Sequence, residues 1–224
     1  MARAEVAKKE NSGAPPVDAA VAPAREESGD TGALTLLAQF LRLRAFGTRQ
    51  QAAHFISDEI AKAGVGGTFQ IEAVAGLERV FSGTGTESRI ELGSYLERVC
   101  GAIRGAVELA GAMQLNCVCE AGCEVENEAA IPIALIVCEL VLNAATYAHP
   151  TGVSGRIDVA CRHHGRDLFV EVSDDGIGLP ADFDPATDGR LGLEMVRTLA
   201  KRLGGEPHFE SDPLGLQVRL TLTN

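Results

Sequence analysis

Residues 127–148, "NEAAIPIALIVCELVLNAATYA", hold the chain to few folds. Between Ile131 and Tyr147 nearly every residue is apolar, and a helix that is hydrophobic all round has to be a core element. Within that run Glu139, Asn143 and Thr146 recur at intervals of four and three, which puts them on one stripe of the helix. A carboxylate and a carboxamide cannot be buried there without polar partners, because the desolvation of each is unfavourable. The stripe therefore either faces water or meets polar groups from elsewhere in the fold.

The segments around this helix alternate in type. Residues 92–111, "LGSYLERVCGAIRGAVELAG", carry a helical apolar period, and "QLNCVCEA" reads as a strand. After the long helix, "GRIDVACR" and "DLFVEVSD" alternate apolar and polar residues as two strands joined at "HHG". A helix over "LGLEMVRTLAKRLGG" and the strands "EPHFES" and "LQVRLTLT" complete the set. Helices covering one face of a mixed, mostly antiparallel sheet make a two-layer α/β sandwich, predicted over residues 88–224.

Two further regions precede it. Residues 1–30 mix Ala, Pro, Glu and Lys without an apolar period and are expected to form a disordered tail. Over residues 31–85, Leu34, Leu37, Phe40 and Leu41 share a helical stripe, and after "GT" a second helical stretch runs from about Arg49 to Phe81, interrupted at Gly64, Gly66 and Gly67. These make an α-helical hairpin whose apolar stripe needs a cover, either a second copy in a homodimer or the next domain.

A formal net charge of −11 excludes a phosphate-backbone partner, since nucleic-acid binding rests on clustered Lys and Arg. No uninterrupted run of roughly 20 apolar residues suggests a membrane span, and "MARAEVAKKENSG" lacks a signal peptide's apolar stretch, so a cytoplasmic protein is expected. Cys117, Cys119 and Cys123 in "NCVCEAGC" match no usual zinc spacing. Cys117 and Cys119 read instead as small buried hydrophobes on one strand face, while Cys100, Cys138 and Cys161 lie singly in apolar segments.

The glycine segments carry the functional signal. "SDDGIGLP" contains Asp174, Gly176 and Gly178 as D-x-G-x-G directly after a strand, and "GRLGLEMV" opens a helix at Gly192. With E-x-x-x-N on the long helix these motifs resemble the GHKL ATPase superfamily of gyrase, the heat-shock chaperone ATPases, MutL and the histidine kinases. "YLERVCGAIR", "IPIALIVCELVLNAATYAHP", "VSDDGIGLPADFD" and "LGLEMVRTLAKRLGGE" are most similar to the histidine kinases whose phosphoacceptor box reads H-R-x-K-N, over about residues 34–224.

That resemblance implies a Bergerat-type ATP-binding domain with ATP and Mg²⁺ as cofactors. Asp174, an acceptor, would select adenine by its exocyclic amine. Gly176 and Gly178 would let base and ribose approach a backbone without Cβ atoms. Asn143 would supply an oxygen to Mg²⁺, and Glu139 would orient or deprotonate the nucleophile. Gly192 would present helix N–H groups to phosphate, with Thr146 beside it and Arg190 in the short lid.

The chain departs from the subfamily at two places. Thr146 stands where a basic residue is usual, which removes a charge from the phosphate pocket. Ser28 stands where the phosphorylated histidine should be, and the neighbours of His54 do not match an acceptor box, so histidine autophosphorylation is not expected. His149 ends the long helix as a possible cap, His163 and His164 sit in a predicted turn, and His208 in a late strand. The favoured reading is a soluble histidine-kinase-like ATP-binding signalling protein that either uses Mg-ATP as a conformational switch or phosphorylates a partner, and that acts on or docks a response regulator or another signalling protein. A dimeric histidine phosphotransferase and an anti-sigma-factor type serine kinase are the alternatives.

Overall fold

The computed structural model describes residues 39–41, 44–45, 51, 68–83, 87–111, 113–188 and 191–223. The predicted tail, most of the first hairpin arm, Ser28, His54 and Arg190 lie outside the described residues. In chain order the elements are α1 (Thr68–Ser82), β1 (Arg89–Glu91), α2 (Leu92–Gly111), β2 (Met113–Cys119), β3 (Glu124–Glu126) and α3 (Asn127–Tyr147). The hairpin β4 (Gly155–His164) and β5 (Asp167–Asp174) follows, then α4 (Leu191–Arg202), β6 (Pro207–Asp212) and β7 (Gly215–Thr223).

The main sheet runs in the order β2-β4-β5-β7-β6, with β2 parallel to β4 and every other pair antiparallel. Alternation decides which face is covered: Ile157, Val159 and Cys161 of β4 and Leu168, Val170 and Val172 of β5 are buried, as are Val218, Leu220 and Leu222 of β7. α2, α3 and α4 pack over that face, giving the expected two-layer α/β sandwich. α2 begins where the Glu91 carboxylate accepts the N–H groups of Gly93 (3.3 Å) and Ser94 (2.7 Å), which satisfies two donors that a helix start leaves open.

α3 lies between α2 and α4 and is buried from Ala130 to Ala145 at all but a few positions. By length and composition it is long and apolar enough to cross a bilayer, contrary to the expectation that no such run exists. However, 72% of its most apolar window is buried inside the protein, so this apolar surface is the core.

Other differences are local. β1 and β3 form a two-stranded antiparallel sheet that was not anticipated, each being too short for an alternating period. His163 and His164 lie in β4, paired with Leu168 and Asp167, so the turn is shorter than expected. Of the second helical stretch, the structure describes α1 from Thr68 on, and residues 52–67 with the three glycines lie outside the described residues.

The described part of the hairpin bears on the need for a cover. Phe40 stacks on Phe81 with ring centroids 6.2 Å apart, and the Arg44 guanidinium lies over the Phe81 ring and 3.7 Å from the Glu78 carboxylate. Gly76 brings α1 against α2; a Cβ there would stand 3.1 Å from that of Ala102. Phe40, Leu41, Leu77 and Phe81 are fully buried in the same core as the sheet. The described part of the stripe, Phe40 and Leu41, is thus covered within the chain.

Candidate functional site

α3 is the spine on which the motif residues meet. Glu139 is 4% exposed, the only charged side chain so deeply buried among the described residues. Its carboxylate lies against the first turn of α4, and a Cβ on Gly192 would overlap it. Glycine at 192 is therefore demanded by the acid beneath it. An anion beside a helix N-terminus is favoured by the N–H groups and dipole there.

Further along the same helix, Asn143 is half-buried and Thr146 is exposed. The Thr146 hydroxyl donates to the Leu142 carbonyl at 2.7 Å, back into its own helix. Its proton is committed there, so Thr146 offers lone pairs rather than a donor to an incoming group.

The D-x-G-x-G segment closes onto the end of α3. Asp174, last residue of β5, accepts the Gly176 N–H at 2.9 Å and bends the chain; Ile177 then donates to the Ala148 carbonyl at 3.0 Å. The bare Cα of Gly176 faces Ala148 and leaves no room for a Cβ. Gly178, at φ +69°, lies against Asp212 and Ser211 at the end of β6, where Leu179 donates to the Ser211 hydroxyl at 2.7 Å. Both glycines thus serve close approaches of the chain to itself. From Glu139 to Ala148 the helix spans about 13 Å, so the two glycine segments sit at opposite ends of one short stretch of α3.

The acids next to each other at 174 and 175 are in opposite environments. Burial pushes the Asp174 carboxyl above its ordinary range, against the Gly176 and Leu216 N–H groups that lower it. Asp175 also feels some burial, but the Arg156 N–H (2.8 Å) and His149 Nε2 (2.9 Å) hold it below the ordinary range. His149 was expected only to cap α3. Its ring instead pairs with Asp175 and covers the bare Cα of Gly155. The separation of 26 residues leaves no sequence signal for that pair.

The described residues fit a nucleotide with a divalent cation on their donor chemistry. Asp174 supplies an acceptor, Asn143 a neutral oxygen, Glu139 a carboxylate, and Gly192 a helix start with no side chain of its own. Arg190 cannot be placed among them, since it is outside the described residues.

Comparison with solved structures gives this sandwich a class. It has the fold of the histidine-kinase ATPase domain: the histidine kinase domain of an Erythrobacter litoralis blue-light activated histidine kinase matches with TM-score 0.60 and 27% identity, over 86% of this chain and 95% of that one. Residues 128–224 match the model of the histidine kinase-, DNA gyrase B- and HSP90-like ATPases, and this part of the chain belongs to that family, close to its histidine kinases. The chain is 34% identical over 138 residues to blue-light-activated histidine kinase 2 of Erythrobacter litoralis, covering 61% of this chain and 39% of that protein. It is 28% identical over 114 residues to a sensor histidine kinase of Mycobacterium tuberculosis, covering 50% of this chain and 23% of that one. The chain therefore spans well under half the length of these curated relatives.

Proposed function

We propose that the chain binds Mg-ATP and acts as a histidine-kinase-type phosphotransfer protein towards a response-regulator-type partner. The observation that carries this reading is the convergence on α3 of a buried Glu139 with the Gly192 helix start and of the Asp174 loop with Ala148. The partner class rests on the relatives' names, both of them histidine kinases. A cytoplasmic setting goes with such a partner.

In this reading Asp174 accepts the adenine amine, and Gly176 and Gly178 hold the loop that aims it. Asn143 provides the oxygen for Mg²⁺, while Gly192 exposes the N–H groups of α4 to phosphate. Thr146 borders the phosphates with its hydroxyl oxygen. Bound Mg-ATP supplies a transferable γ-phosphoryl group. Glu139 orients the attacking nucleophile and holds its proton, and its burial keeps water from competing.

Isothermal calorimetry tests this on the full chain. Mg-ATP should bind, and Asp174→Asn should weaken binding about 10- to 100-fold, the equivalent of a lost charge-assisted hydrogen bond of about 1.5–3 kcal/mol. An absence of heat with the wild type, or equal affinity in the variant, contradicts the assignment.

A further inference from the structure

Five of the six cysteines form a connected set of thiols under the start of α2. Cys117 and Cys119 point to one face of β2 with their sulfurs 3.9 Å apart. Cys161 on β4 is the register partner of Cys119, and Cys100 on α2 and Cys123 lie near enough to interact with this set. Cys100 and Cys161, solitary in the sequence, are therefore not solitary in space. Cys117 and Cys119 are only half-buried, whereas Cys100, Cys123 and Cys161 are buried.

From this arrangement we propose that Cys119 and Cys161 are a peroxide-sensitive thiol pair that closes to a disulfide between β2 and β4. The two residues are register partners in the parallel ladder, and Glu120 donates to the Cys161 carbonyl at 2.8 Å immediately beyond. Neighbouring strands lie about 4.8 Å apart, inside the Cα separation of roughly 4.4–6.8 Å that a disulfide spans. Cys117 and Cys119, two residues apart on one strand, are separated by about 6.7 Å, at the edge of that range.

Access assigns the roles. Cys119 is the half-exposed member, open to a small oxidant, whereas Cys161 is fully buried behind it. The Cys119 thiolate attacks the distal oxygen of a hydroperoxide; the O–O bond breaks, the alcohol or water leaves with a proton, and a sulfenic acid remains. The Cys161 sulfur then attacks the Cys119 sulfur; the S–O bond breaks, and hydroxide leaves as water with the Cys161 proton. Two thiols and one hydroperoxide give one disulfide, one alcohol (water when the oxidant is hydrogen peroxide) and one water. The bond ties edge strand β2 to its single neighbour in the sheet.

Hydrogen peroxide treatment of the full chain, alkylation under denaturing conditions and mass spectrometry provide the test. Of the 6 cysteines, two should become unavailable to alkylation, with tryptic peptide 157–162 linked to the peptide carrying Cys119. Cys161→Ser should leave a sulfenic acid at Cys119 that a 1,3-diketone traps, and Cys117→Ala should still form the cross-link. Six alkylatable thiols after oxidation overturn the proposal. So does a disulfide joining any other pair, or over-oxidation of Cys119 without a cross-link.

Discussion

At the end of the β4–β5 ribbon where Ile157 pairs with Asp174, chemistry rests on carboxylates held by backbone N–H groups. Four residues along β4, at Cys161, it rests on thiols touching thiols. Both ends use the same device, a helix brought close by glycine: Gly192 lets α4 onto Glu139, and Gly93 lets α2 onto Cys119, where a Cβ would stand 3.0 Å from that of the cysteine. The difference lies in what the closeness does. An acid against a helix N-terminus keeps an anion-favouring site electrostatically balanced, whereas stacked thiols gain little from packing and differ mainly in reactivity.

The largest effect that separates the two ends is on nucleotide. Asp174→Asn should weaken Mg-ATP by the factor given above, while Cys119→Ser, at the thiol end, should leave the affinity unchanged within twofold. Equal losses in both variants would mean that the ends are not independent. Next in size, Gly192→Ala should destabilise the fold by about 1–3 kcal/mol in urea unfolding, because the added methyl must displace the Glu139 carboxylate. Cys161→Ser should cost about 1–2 kcal/mol by burying a hydroxyl in place of a sulfur, with no change in nucleotide affinity.

The smallest effect is on pH dependence. Asp174, raised above 3.8, is penalised when ionised, so its contribution to stability improves as pH falls through its folded pKa towards 3.8. Asp175, lowered below 3.8, contributes stability above that pH, which is lost as pH falls further through its folded pKa. The Asp175 side chain is 48% exposed and screened, so its share is about a few tenths of a kcal/mol. In urea midpoints measured from pH 6 to pH 3, Asp174→Asn should remove the first change and Asp175→Asn the second. Identical profiles in the two variants would refute the opposite settings of these neighbours.

What was legible in the chain follows from how far apart the interacting residues lie. The bounds of α2 and β5 were readable because local periods run the whole length of each: the buried residues of β5 alternate, and Leu92, Leu96, Val99 and Ile103 recur on one face of α2. The Glu139–Asn143–Thr146 stripe was readable for the same reason. Its outcome was not: Glu139 is buried, Asn143 intermediate and Thr146 exposed, a gradient set by the packing of α4. β1 and β3, at three residues each, carry no period. The His149–Asp175 pair and the thiol set join residues distant in sequence, and composition alone cannot signal either.

The central claim is that nucleotide engages one end of this sandwich, along α3 from Glu139 to Ala148, and leaves the thiol end untouched. Amide chemical shifts recorded while Mg-ATP is titrated into the full-length chain test it directly. The account predicts the largest shifts at Asn143, Asp174, Gly176 and Gly192, and none at Cys117, Cys119 or Cys161. Shifts centred on β2 and the start of α2, or no shifts at saturating Mg-ATP, would contradict it.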